Sequence, residues 1–272
     1  MTTAQKIIKY FAIAFAIFLI VTIISTILGG LFALSGVLGL KNDNEINISQ
    51  MQNLTFQDLN INSLEIDVNY TNLTIKTGNV LSIETNNTDI TAKQNNEKLE
   101  IKEKKHNWFF NNEELDLIIY IPENLKFEEV KLTTGAGKIS IDNLNTQKLS
   151  FELGAGETEI RNLKVSRECD IEGGAGKVSI LAGTINNLDL GMGIGEVNLT
   201  AMLEGESEID AGIGSLNITL EGDKENYRIK TKKGIGSVKI DGEEMEDNQI
   251  FGDGKNRIEI NGGIGNIRVE FK

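Results

Sequence analysis

The stretch Gly193-Ile-Gly-Glu-Val-Asn-Leu-Thr-Ala-Met-Leu-Glu-Gly-Glu-Ser-Glu-Ile-Asp-Ala-Gly-Ile-Gly-Ser-Leu-Asn-Ile218 decides the fold. It contains one short phrase twice: glycine, a small or branched apolar residue, glycine, one polar residue, then apolar-x-apolar. The same phrase begins at Gly135, Gly154, Gly174, Gly193, Gly212, Gly234 and Gly263, and its second glycines are Gly137, Gly156, Gly176, Gly195, Gly214, Gly236 and Gly265. The steps between second glycines are 19, 20, 19, 19, 22 and 29 residues. A near-constant period of this size marks a solenoid, in which each unit buries its apolar side only against its neighbours.

Each unit carries two apolar-x-apolar pairs. One follows the glycines: Ile139/Ile141, Thr158/Ile160, Val178/Ile180, Val197/Leu199, Leu216/Ile218, Val238/Ile240 and Ile267/Val269. The other precedes them: Leu149/Phe151, Cys169/Ile171, Leu188/Leu190, Ser207/Ile209, Tyr227/Ile229 and Ile258/Ile260. Alternation of period two buries one face of a strand, and stacked units align such pairs into interior ladders about 4.8 Å apart. Glycine suits the corner between the pairs because it accepts positive φ and close backbone approach. The residue between the glycines is alanine in three units and isoleucine in four, and this column is expected to point inward. The predicted fold is an all-β parallel β-helix of about 19–20 residues per coil, right-handed by the crossover rule for parallel strands.

The rest of the chain is organised around that array. Residues 1–9 read as a short cytoplasmic tail. Residues 10–40 lack any charge and exceed the ~20 apolar residues that span a bilayer. Lys6 and Lys9 precede the run, so the positive-inside bias leaves the N-terminus in the cytoplasm and the remainder outside the cell. The alternative is a cleaved signal peptide, with Ala33-Leu-Ser35 as a loose small-x-small site. The run is longer than an ordinary apolar signal core, which favours a single-pass membrane anchor. Residues 41–58 read as a polar linker, 59–131 as irregular N-terminal coils acting as a cap, and 132–272 as the regular solenoid. Within the cap, Asn86 to Lys98 reads as a polar turn, and Pro122 ends a strand because proline cannot donate to a ladder.

Composition narrows the function. The formal net charge is −13, and residues 41–272 carry −15, which argues against nucleic acid as a partner. One cysteine excludes an internal disulfide framework and a thiolate metal site. Cys169 falls in a column of buried aliphatics and reads as a small hydrophobe. Gly-Ala-Gly-Lys at 135 and 174 is not a phosphate loop: the leading glycine is missing, and an apolar residue follows each lysine. Gly173-Gly-Ala-Gly176 and Gly262-Gly-Ile-Gly265 resemble calcium-binding nonapeptides, yet Val178 and Ile267 occupy the aspartate position. With one histidine and no evident acid/base pair, no catalytic constellation and no cofactor are expected.

Two surfaces remain as candidates. Glu152, Asp170, Glu172, Asp189, Glu208 and Asp210 fall in adjacent outward columns, where like charges repel. They read either as a site for divalent cations or a basic partner, or as a solvated, mildly repelling face. Trp108, Phe109 and Phe110 beside Lys104-Lys105-His106 read either as a contact loop or as a lid over the end of the stack. The chain ends on Ile267-Arg-Val-Glu-Phe271, an uncovered edge in a stack built in chain order, which predicts self-association.

The stretch Ile118-Ile-Tyr-Ile-Pro-Glu-Asn-Leu-Lys-Phe-Glu-Glu-Val-Lys-Leu-Thr-Thr-Gly-Ala-Gly-Lys-Ile139 resembles the bacterial "putative adhesin" domain family, as does the closing Phe251-Gly-Asp-Gly254 to Gly263-Ile-Gly265 phrase. The similarity covers roughly Leu64 to Lys272. It implies a β-solenoid, often behind a single membrane anchor, with no catalytic residues to carry over. The function it implies is adhesion or a cell-envelope scaffold. The alternative is an envelope-stress sensor acting through a membrane partner, since a nine-residue tail holds no output domain.

Overall fold

The computed structural model describes residues 61–104 and 114–272, and the backbone of Gln52–Phe56. The apolar run at 10–40 and the Trp108-Phe109-Phe110 loop lie outside the described residues; among the described ones no helix is long and apolar enough to cross a membrane. Apart from one 3-10 turn, Lys224–Asn226, every regular element among them is a strand, and all strands join one mostly parallel sheet that winds into coils.

Among the described residues we number nine coils along the chain: 61–78, 81–104 with 114–122, 127–146, 149–165, 169–186, 188–204, 206–220, 227–240 and 256–271. The strand Phe127–Ile180 runs unbroken for 54 residues through coils 3, 4 and into 5. The ladder continues around the glycine corners of coils 3 to 7 and 9, where a corner does not end a strand; in coil 8 the strand stops at Lys232 and resumes at Val238. Coil 6 pairs in parallel with coil 5 from Leu188↔Cys169 to Leu199↔Ile180, and with coil 7 from Asp189↔Glu208 to Ala201↔Leu220. Leu149, Cys169, Leu188, Ser207 and Ile258 form one buried column, and Val178, Val197, Leu216 and Ile267 another. A third inward column, Val165, Ile185 and Leu203, comes from the segment after each second pair. Coils 4 to 6 are therefore three-sided, where two apolar pairs per unit predict two sides.

The coils do not stack in chain order. Coil 9 pairs with coil 7 through an unbroken register from Glu206↔Arg257 to Leu220↔Phe271, and on its other side with coil 8, Tyr227↔Asn256 to Lys232↔Asn261. The last coil thus inserts between the two before it. The start of the chain does the same: coil 1 lies between coil 3 (Leu64↔Val130, Leu73↔Ile139) and coil 2 (Leu64↔Leu99, Leu73↔Leu117). The spatial order is 2-1-3-4-5-6-7-9-8.

This order corrects several expectations. The terminal strand is no free edge: Ile267 and Val269 pair with Leu216 and Ile218 on one side and with Val238 and Ile240 on the other. The outermost coils carry short antiparallel strands instead. Ile250–Phe251 and Glu243–Glu244 pair onto coil 8. Leu81–Thr85 pairs onto Asp116–Pro122, and Ile90–Asn95 onto Lys98–Glu103. The stretch at 86–98 is therefore half of a hairpin turning at Asn96 (φ 53°), not a simple turn. Such strands twist a sheet end away from further pairing. In coil 8 Tyr227 and Ile229 are both buried, but the pair in register with Ile258/Ile260 is Ile229/Thr231. Thr231 is fully buried, its hydroxyl facing the Glu246 and Gln249 carbonyls at 3.5 Å, so a polar residue hides the register.

The residue between the glycines points outward, not inward. Met192 is the last inward residue of one side and Val197 the first of the next, so the parity slip leaves Ile194 on the convex side of the bend. Ile194, Ile213, Ile264 and Ile235 are consecutive rungs of an outer ridge, and Ile264 and Ile235 are 39% and 62% exposed. Inside the ridge the backbones pack glycine on glycine. A β-carbon on Gly156, Gly176, Gly195, Gly214, Gly265 or Gly236 would overlap the carbonyl oxygen of the corner glycine one coil back in the spatial order.

Candidate functional site

Among the described residues the interior is almost wholly aliphatic. The recesses behind the glycine corners hold about 10 Å³ each, room for a single water at most. Cys169 is fully buried, and burial, then the charge of Asp170, pushes its thiol far above the ordinary range, which leaves it unreactive.

The face built by the strands before the glycines brings all six predicted carboxylates together. Asp170, Asp189 and Glu208 are directly opposite one another on coils 5, 6 and 7. Glu172, Gly191 and Asp210 form the next column, with Glu152 one coil earlier. Gly191 matters here. A β-carbon at that position would stand 2.5 Å from Glu172 Oε2, so the missing side chain is what lets the carboxylate lie over coil 6. Burial pushes the Asp189 carboxyl up, and Asp170 and Asp210 push it further; Glu172 is raised by burial and by Asp170, Asp189 and Asp210. Among the described residues no group of three or more His, Cys, Asp or Glu side chains is arranged to hold a metal ion.

What sequence reasoning missed is how the face continues. Because coil 9 follows coil 7, Glu259 stands opposite Glu208, and Asn261 opposite Asp210. The Asn261 amide donates to Glu208 Oε1 at 2.8 Å and to Asp210 Oδ1 at 2.6 Å, satisfying two carboxylates without neutralising either. Lys230 and Lys232 of coil 8 then close on Glu259 and hold its carboxyl below the usual range, with the Lys232 bond the larger cause. Beside them Arg257 Nη1 meets Glu206 Oε1 at 2.9 Å. The face is acidic over coils 5 to 7 and turns basic at coil 8. The 51-residue offset that creates this dipole has no local signature.

The second face, after the glycines, behaves as its alternating charges predict. Lys177 reaches Glu196 at 3.6 Å across one rung, and the Glu196 carboxyl is held low by Asn198 and then by Lys177. The Asn143–Asn162 and Asn198–Asn217 amides bond from coil to coil at 3.0 and 2.9 Å.

The repelling acids give a pH test. Asp189 and Glu172 bind protons more tightly in the folded chain than in the unfolded one, so their ionisation opposes folding. The penalty is complete above the raised folded pKa, shrinks as pH falls through it, and is gone below the ordinary carboxylate value of about 4. Asp189→Asn is expected to raise the thermal midpoint at about pH 7 and to leave it unchanged near pH 3. Scanning calorimetry at the two pH values checks this; equal shifts at both would show that repulsion is not the cause.

Among solved structures, the chain resembles a "putative cell adhesion protein" from Clostridium sporogenes (20% identity, 82% of this chain and 99% of that one, TM-score 0.34). It also resembles a "putative adhesin" from Bacteroides fragilis (12% identity, 81% and 97%, TM-score 0.38) and a "putative lipid binding protein" from Parabacteroides distasonis (14% identity, 80% and 96%, TM-score 0.40). No curated protein sequence matches the chain. The family model described as Toastrack DUF4097 matches residues 61–270, in keeping with the resemblance read at Ile118–Ile139, and the chain belongs to that family.

Proposed function

We propose that this chain is a non-catalytic recognition domain of the cell envelope, serving in adhesion or as a scaffold. In this reading it is held at the membrane by residues 10–40, with the coils outside the cell. The observation that carries it is the contrast between interior and face. The inward columns are almost wholly aliphatic, while charges stand in ordered outward columns about 4.8 Å apart over the coils. A flat, regular, charged surface suits contact with an extended partner better than turnover of a sequestered substrate.

The test uses cells expressing the full chain, exposed under flow to surfaces coated with envelope material. Asp170→Asn, Asp189→Asn and Glu208→Gln together are expected to reduce retention several-fold without altering the amount of protein at the cell surface. Unchanged retention would remove the charged face from the contact. Turnover of cell-wall or capsular polymer by the purified chain would overturn the non-catalytic reading.

A further inference from the structure

We infer that the charged face contains a binding groove for a short extended peptide with a free amino end and a free carboxyl end. The inference rests on the recognition role proposed for that face and names its ligand class.

The groove has a volume of about 420 Å³ and runs along the stack over coils 6, 7, 9 and 8. Its walls are two outward columns, and alternate outward residues stand about 7 Å apart along a strand. Inside it, charges cancel in pairs: Arg257 on Glu206, and Lys230 on Glu259 at 3.5 Å. Glu208 keeps its charge, bonded among the described residues only by the neutral Asn261 amide, so the groove is acidic at its coil 6–7 end and basic at its coil 8 end. Asp189, on coil 6, faces the like charges of Asp170 and Asp210. Arg228, on coil 8, makes no ion pair or side-chain hydrogen bond among the described residues.

Three coil steps, about 14 Å, and one column, about 7 Å, separate these ends, a diagonal of about 16 Å between backbones. An extended chain advances about 3.3 Å per residue, so a tetrapeptide of about 13 Å, with a hydrogen bond of about 2.8 Å at each charged terminus, reaches both ends. An ammonium group at Asp189 relieves the repulsion there, and a carboxylate at Arg228 gains a bidentate partner. The middle of the groove favours a peptide over an alkyl diacid or diamine. Its paired acids and bases present acceptors and donors together, which amides satisfy and a hydrocarbon linker would only desolvate.

Titration calorimetry of the full chain with tetra-alanine tests this. Acetylating the amino end or amidating the carboxyl end is expected to weaken binding by about tenfold each, the worth of one charged hydrogen-bonded contact. Dialanine, too short to reach both ends, is expected to bind no better than a blocked tetrapeptide. Asp189→Asn should abolish the preference for a free amino end, and Arg228→Gln the preference for a free carboxyl end. Absence of heat with tetra-alanine, or equal affinity for blocked and free forms, overturns the assignment. If tetra-alanine fails while the triple amide variant still loses retention on envelope surfaces, the peptide assignment falls and the recognition role stands. If retention is also unchanged, both fall.

Discussion

Gly265→Ala is expected to cost at least about 4 kcal/mol and to disrupt the stack around coil 9, although it adds a single methyl group. Two effects combine. Gly265 has φ 150°, a conformation that costs a residue with a β-carbon about 1–3 kcal/mol. The added carbon would also overlap the Gly214 carbonyl oxygen, which belongs to backbone and cannot rotate away. Coil 9 must then lift from coil 7, weakening ladder bonds worth about 1 kcal/mol each over several residues. Gly242→Ala separates the two effects. Its φ is 83°, but a β-carbon there meets nothing within 4 Å, so only the conformational cost of about 1–2 kcal/mol is expected. Urea unfolding of both variants checks the difference. Equal losses would mean that close glycine packing contributes nothing at the corners.

The glycine columns show which parts of this fold the sequence makes legible. A corner glycine recurs in each of coils 3 to 9 because each sits on its neighbour's backbone, so its period survives insertions between coils and can be read directly. The aliphatic ladders are legible for the same reason. The side on which the middle residue falls is not, because an Ala-to-Ile column satisfies apolar periodicity whether it lines a cavity or forms an outer ridge. Only the parity slip between Met192 and Val197 decides it, and that depends on the backbone angle at Gly195, φ 148°.

The candidate site divides along the same line. Asp170, Asp189 and Glu208 could be placed together because coils 5, 6 and 7 follow one another in both chain and space. Glu259, Asn261, Lys230 and Arg228 could not, since the phrases at Gly234 and Gly263 are interchangeable in content. The 29-residue step between them reports an insertion without saying which coil lies inside. Order along the stack is a long-range property, set by which edges match best, and nearest-neighbour periodicity carries no record of it.

Ending the chain at Lys255 exposes that order. A solenoid stacked in chain order would lose one terminal coil and keep the rest. Here coil 8 joins the ladder through coil 9, by the Tyr227–Lys232, Val238–Ile240 and Ile235 pairings, its other ladder partners are its own short hairpin strands, and beyond the ladder the Tyr227 hydroxyl donates to the Glu221 carbonyl at 2.7 Å. The truncation removes buried Ile258, Ile260, Ile267 and Val269, worth roughly 6–12 kcal/mol together at about 1.5–3 kcal/mol each. It also removes Phe271, which packs between the rings of Tyr227 and Phe251 at 5.9 and 5.6 Å. Residues 227–251 are therefore expected to exchange their amide hydrogens at unfolded-chain rates, while coils 3 to 6 stay protected. The freed edge of coil 7, a 15-residue strand from Glu206 to Leu220, should drive association at high concentration. Retained protection across 227–251 would mean that coil 8 packs directly on coil 7, and the basic end of the charged face, with Arg228 in it, would then sit one rung closer to Asp189 than a tetrapeptide requires.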